Sequence, residues 1–209
     1  MMTADEVAPF FTRANGDYVF ARWERPIVPV VFGVDDATLA TLKGAIETMV
    51  RLAGHEMAET DPEQGANLIV FFLRDWDELL AVPDLDRLVE GLGPLVARLQ
   101  AEGANQYRHF RLEESGAIRA CIAFLKVDGD LAALPAETVA LGLAAQMILL
   151  WSDTAFRNAS PLALLDGTAI LRPDVAGLIR AAYDPVLPAA AHDPSHALRL
   201  AARIGRGHS

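Results

Sequence analysis

The stretch Glu137-Thr-Val-Ala-Leu-Gly-Leu-Ala-Ala-Gln-Met-Ile-Leu-Leu-Trp-Ser-Asp153 is apolar around its whole circumference. Gln146 is the only strongly polar side chain between Thr138 and Ser152. A helix that is hydrophobic all round must be buried, so these residues predict the central helix of a core, over about 136–150. Pro135 supplies a first-turn proline ahead of it. The run Val139 to Trp151 is interrupted by Gln146. At about 1.5 Å per residue it also falls short of the roughly 30 Å needed to cross a bilayer.

The remaining segments arrange themselves around that helix. Ile27-Val-Pro-Val-Val-Phe-Gly33 reads as a strand, and Pro26 and Pro29 assign it to a sheet edge or a late start. Asp35 or Asp36 then caps a helix carrying Leu39, Leu42, Ile46, Met49, Val50 and Ala53 at helical spacing, closed by Gly54. Asn67-Leu-Ile-Val-Phe-Phe-Leu73 is a continuous apolar strand. Strand, helix and strand at these lengths imply a right-handed parallel crossover. Short helices broken by Pro83 and Gly91-Leu-Gly-Pro94 follow, then strands 107–112 and 117–125 joined by Glu113-Glu-Ser-Gly116. Residues from Asp153 to Leu171 read as irregular; Pro173 opens a helix to about Tyr183, and Asp193-Pro194 a last one to about Ile204. The sum is a single α+β domain over 1–209, with a small mixed sheet, the buried helix and C-terminal helices. A plain α/β sandwich is the alternative.

Composition narrows function by exclusion. The chain holds 18 Lys+Arg against 28 Asp+Glu, a formal net charge of -10, which disfavours nucleic acid and anionic membrane surfaces. Arg199, Arg203 and Arg206 read as the solvated face of a terminal helix. With 52% hydrophobic residues and a mean hydropathy of +0.23, a sizeable core is available. Cys121 is the single cysteine, so no intrachain disulfide and no cysteine zinc site can form. The acidic start Met1-Met-Thr-Ala-Asp-Glu lacks the pattern of a signal peptide. A soluble, cytoplasmic protein with no membrane partner is the expectation.

The candidate chemistry is sparse. His55 and Glu59 are spaced i, i+4, but Gly54 ends the helix just before them, leaving a solvated loop. His192 and His196 have the same spacing, yet Pro194 as first helical residue leaves His192 outside the helix. His208-Ser209 lies in a tail, and no G-x-S-x-G or G-x-x-x-x-G-K-[ST] string occurs. Cys121 reads as a buried small hydrophobe. Gly91-Leu-Gly93 follows a helix, which is the wrong context for a dinucleotide turn. Asp128-Gly-Asp130 reads as a turn without the further oxygen ligands a cation needs. Gln146, if buried, reads as a core hydrogen-bonding group.

Arg22-Trp23 with Pro26-Ile-Val, Ala66-Asn-Leu-Ile-Val70, and the closing Leu171-Arg-Pro-Asp174, Leu178-Ile-Arg180 and Tyr183-Asp-Pro185 resemble an uncharacterised bacterial family of unknown function with a zincin-like (metzincin-like) domain. The resemblance covers about 20–187. It aligns Leu143-Ala-Ala-Gln146, Ile148-Leu-Leu150 and Ser152-Asp153 with the family's active-site-like helix. On a zinc peptidase motif, Gly142 would stand at the first histidine, Leu143 at the catalytic glutamate, Gln146 at the second histidine and Ser152 at the third ligand, with Asp153 beside it. No metal ligand pair is left, so neither a metal nor another cofactor is expected, and no catalytic residue is assigned. The resemblance implies a zincin-like scaffold without zinc chemistry. The expected role is a protein- or peptide-binding module that holds a strand against a sheet edge. The alternative is a hydrolase or metal enzyme built from carboxylates such as Asp128, Asp130 and Asp153. The sequence leaves the oligomeric state open.

Overall fold

The computed structural model describes residues 2–204, the side chain of Asp130 excepted. Arg206 and His208-Ser209 lie outside them. Helix α1 (Ala4–Val7) leads to strand β1 (Phe20–Ala21), β2 (Pro29–Phe32), α2 (Asp36–Ala53) and β3 (Leu68–Leu73). A 3-10 helix (Trp76–Ala81), α3 (Leu85–Leu88) and α4 (Leu92–Ala101) precede the hairpin β4 (Gln106–Leu112) and β5 (Ile118–Lys126). Then come α5 (Gly129–Ala132), α6 (Ala136–Met147), hairpin β6 (Leu162–Leu165) and β7 (Thr168–Leu171), α7 (Pro173–Ala182), β8 (Ala190–Ala191) and α8 (His196–Ile204).

The chain is α+β, built on a four-stranded mixed sheet of order β2-β3-β5-β4. The first three strands are parallel, and β4 runs antiparallel to β5 as the edge. The α2 crossover forms as its sequence requires: the Asp35 carboxylate accepts from the Thr38 N–H, and Gly54 ends the helix at φ 65°. Strand alternation divides the interior. Leu68, Val70, Cys121, Ala123 and Leu125 face a core shared with α2, α6, α7 and α8. Ile122 and Phe124 face a second core under Trp76, Leu79, Val96 and Leu99. A bulge between Arg111 and Leu112 returns Ile118 to the first core, although strict alternation would put it with Ile122 and Phe124.

Helix α6 is buried from Leu143 onward, while Ala136 and Glu137 in its first turn are exposed. It ends at Met147, three residues short of the expected 150, because its last carbonyls find aromatic donors. The Trp151 indole N–H donates to the Ala145 carbonyl, Trp23 to Met147 and the Tyr183 hydroxyl to Ile148, at 2.9, 2.9 and 2.8 Å. The chain leaves the helix extended, and Leu149 bridges to Arg22 beside β1. Side chains here replace the usual glycine cap. Asp128-Gly-Asp130, read as a turn, begins the short helix α5.

The segment read as irregular contains the hairpin β6–β7. Its two-residue turn, Asp166-Gly167, has φ of 49° and 81°, the signature of a type I′ hairpin. Among the described residues no helix is long and apolar enough to cross a membrane.

His196 at the start of α8 is 3% exposed, and neither ring nitrogen has a partner among the described residues. Its ring lies 4.4 Å from that of Phe20. Burial, reinforced by Arg199 and Arg203, pulls its pKa down to about 4. A folded pKa below the unfolded value means that the unfolded chain binds the extra proton first. Stability is therefore full above about pH 6.5 and falls as pH drops toward 4, by roughly 2–3 kcal/mol. Denaturant titrations from pH 7 to 4.5 should show this fall, and H196F should make it shallower, leaving the part due to His55 and His109, whose pKa values burial also lowers. A slope unchanged in H196F would contradict the assignment.

Candidate functional site

A wide cleft lies along the outer edge of β4. It encloses about 830 Å³, against about 480 Å³ for the crevice at the carboxyl ends of the parallel strands. That crevice is the usual ligand position in parallel α/β sheets, but its two carboxylates are already engaged, leaving the exposed Arg74 as its one charged group without a partner among the described residues. Asp35 caps α2, and Glu78 accepts from the backbone N–H groups of Arg74 and Asp75. Its remaining wall is mainly apolar, with Leu73, Val127, Leu131, Leu134 and Val139.

The β4 cleft differs because backbone and side-chain groups point into it unpaired. The Lys126 N–H donates to the Asn105 carbonyl, which sets the register of the hairpin: odd residues of β4 turn their backbone groups toward β5, and even residues turn theirs outward. The N–H and C=O of Gln106, Arg108 and Phe110 consequently face the open edge, where no other described strand pairs with them. The opposite edge of the sheet, β2, is a poorer template. It is four residues long and begins at Pro29, and the Glu56–Ala58 segment already bonds to Ile27 just ahead of it.

Helix α6 and the chain beyond it build the facing wall. Gln146 is buried, its amide donating to the Gly142 carbonyl at 3.3 Å, and it lines the cleft. The Ser152 hydroxyl donates to the Pro9 carbonyl at 3.0 Å, and its N–H to Phe10 at 2.7 Å. The Asp153 carboxylate accepts from the Ala14 N–H at 3.0 Å and faces Arg157 at 3.4 Å. Both residues thus tie the N-terminal turn to the cleft. Trp151 stacks on Phe11 with centroids 5.6 Å apart and meets Phe156 edge-on at 5.1 Å.

Of the aligned motif positions, Gln146, Ser152 and Asp153 line the cleft, while Gly142 and Leu143 do not. Leu143 is in the core, and a Cβ on Gly142 would touch Leu162 of β6 at 3.6 Å. Asp128 is paired to Lys126 at 2.7 Å, and Asp153 has its own basic neighbour, Arg157. The Asp130 side chain lies outside the described residues. Among the described residues no three His, Cys, Asp or Glu side chains converge as metal ligands. His55 is half-buried rather than solvated: its Nε2 lies 3.0 Å from the Arg25 carbonyl and its ring packs on Tyr183. The Cys121 thiol is fully buried and pushed up to about 12.

Arg108 also lines the cleft, and no sequence motif marks it. It is half-buried, and its one hydrogen bond runs from Nη1 to the neutral Gln106 Oε1 at 2.9 Å. Burial pulls its pKa below the ordinary arginine value, and no carboxylate offsets this. Its strand, Gln106-Tyr-Arg-His-Phe-Arg-Leu112, has no apolar alternation that would set Arg108 apart from Arg111. The cleft as a whole carries Arg13, Arg98, Arg108 and Arg157 against Glu102 and Asp153, on a chain of net charge -10. Compared with protein-family models, curated proteins and solved structures, the chain matches none.

Proposed function

We propose that this protein is a non-catalytic binding module on a zincin-like scaffold, and that it holds an extended peptide or protein segment as an added strand along β4. The observation that carries this reading is the outward-facing backbone of Gln106, Arg108 and Phe110 at the mouth of a wide cleft. Main-chain hydrogen bonds at such an edge supply affinity, and alternate side chains supply selectivity. The antiparallel edge strand beside a buried helix supports the scaffold assignment. The aromatic wall at Trp151 and Phe156 supports a ligand with apolar side chains.

Proline at Gln106 tests the reading. This is the first residue of β4, where the N–H points away from β5, so Q106P removes one outward donor and leaves the hairpin paired. It also removes the Gln106 Oε1 that holds Arg108, so Q106A, which removes only that side chain, is the reference for affinity. Peptides selected on the parent protein from a random nonapeptide library should bind Q106P about tenfold more weakly than Q106A, as expected for a lost hydrogen bond, at an unchanged melting temperature. Equal affinity would contradict strand addition.

A further inference from the structure

We infer that the ligand strand carries an aspartate or glutamate side chain directly opposite Arg108, with a large apolar residue two positions away opposite Phe110. This inference rests on the strand-addition reading and names the chemistry that the cleft selects. Arg108 brings a positive charge into a half-buried site, and among the described residues it has no acidic partner. Gln106 takes Nη1, while Nε and Nη2 make no hydrogen bond and are not sealed from solvent. Two donors of a planar fork therefore remain open to the cleft, the geometry that a carboxylate fills.

The position of the acid follows from the pleat. The outward backbone of Arg108 would exchange hydrogen bonds with the residue facing it, and directly opposed residues in a strand pair project their side chains to the same face. Phe110 lies two residues along on that face, packed against the first core, with Trp151 and Phe156 lining the same cleft. The neighbouring basic residues agree in sign. Arg98 stands 5.9 Å over the Tyr107 ring, and Arg157 partners Asp153. An acidic, alternating segment complements this cleft, and a basic one is repelled by it.

The test uses the full chain to select from two displayed libraries of random nonapeptides. In one the peptide is fused at its C-terminus, so no terminal carboxylate is free; in the other the C-terminus is free. The parent should enrich, from the first library, sequences with Asp or Glu two positions from a large apolar residue. It should prefer them over their amide analogues by about tenfold, the ratio that one charge-assisted hydrogen bond supports. R108Q should still select extended sequences but without the acid, and R108K, which keeps charge without the fork, should retain a weaker preference. Selection of extended peptides with no acidic preference, or a preference that survives in R108Q, would overturn the role of Arg108 and leave strand addition standing. Acid dependence only in the free-terminus library would assign Arg108 to a terminal carboxylate and overturn the side-chain assignment. No enrichment from either library would remove the strand-addition reading and this inference with it.

Discussion

Replacing Gly33 by alanine destabilises the domain by more than about 4 kcal/mol, because a left-handed backbone and a forbidden contact coincide there. Gly33 has φ 82°, and a Cβ placed on it would lie 2.2 Å from the Phe72 carbonyl oxygen in β3. Neither atom has room to give: Phe72 is held in the sheet, and Gly33 turns the chain from β2 toward the Asp35 cap of α2. G54A provides the control. Gly54 has φ 65° with nothing within 4 Å of its Cβ, so only the conformational cost applies, about 1 kcal/mol. Denaturant unfolding of both variants checks the pair, and a G33A loss no larger than that of G54A would contradict the packing described at the end of β2.

A comparable loss is expected at Trp23. Its side chain is fully buried, and its indole N–H closes the end of α6 on the Met147 carbonyl. W23A removes the ring and the cap together and costs about 4–5 kcal/mol. W23F keeps much of the packing but leaves a small void as well as the unsatisfied carbonyl, so its loss should be smaller, about 2–3 kcal/mol. This cap lies next to Gln146 and Leu150 in the cleft wall. If β4 receives a peptide as proposed, W23F should therefore also weaken its binding, even under conditions where the variant remains folded. Full peptide affinity in a folded W23F would separate the helix end from the site.

Much of this architecture was legible in local chemistry. Asp35 and Gly54 delimit α2 because a cap and a left-handed stop are decided within a few residues. Glu113-Glu-Ser-Gly116 likewise joins the hairpin it was expected to join. The end of α6 was not legible, since Trp23 and Tyr183, which bond to it, are remote in the chain. The β6–β7 hairpin did have a local signal, the Asp166-Gly167 pair between two apolar runs, which was passed over beside the longer apolar helix. Of the five positions aligned by the resemblance, 146, 152 and 153 line the cleft and 142 and 143 do not. Arg108 gave little away, because its lack of a partner follows from the strand order that leaves β4 at the edge.

Under the proposed function β4 receives a strand and the site performs no hydrolysis on it. Hydrogen exchange on the complex with a selected nonapeptide, with the intact peptide mass followed in the same samples, tests both parts. The amides of Gln106, Arg108 and Phe110 should become protected on binding, those of β2 should not, and the peptide mass should stay constant with or without added zinc. Unchanged exchange along β4, or a peptide cleaved in a manner that a zinc chelator abolishes, would contradict the proposed function.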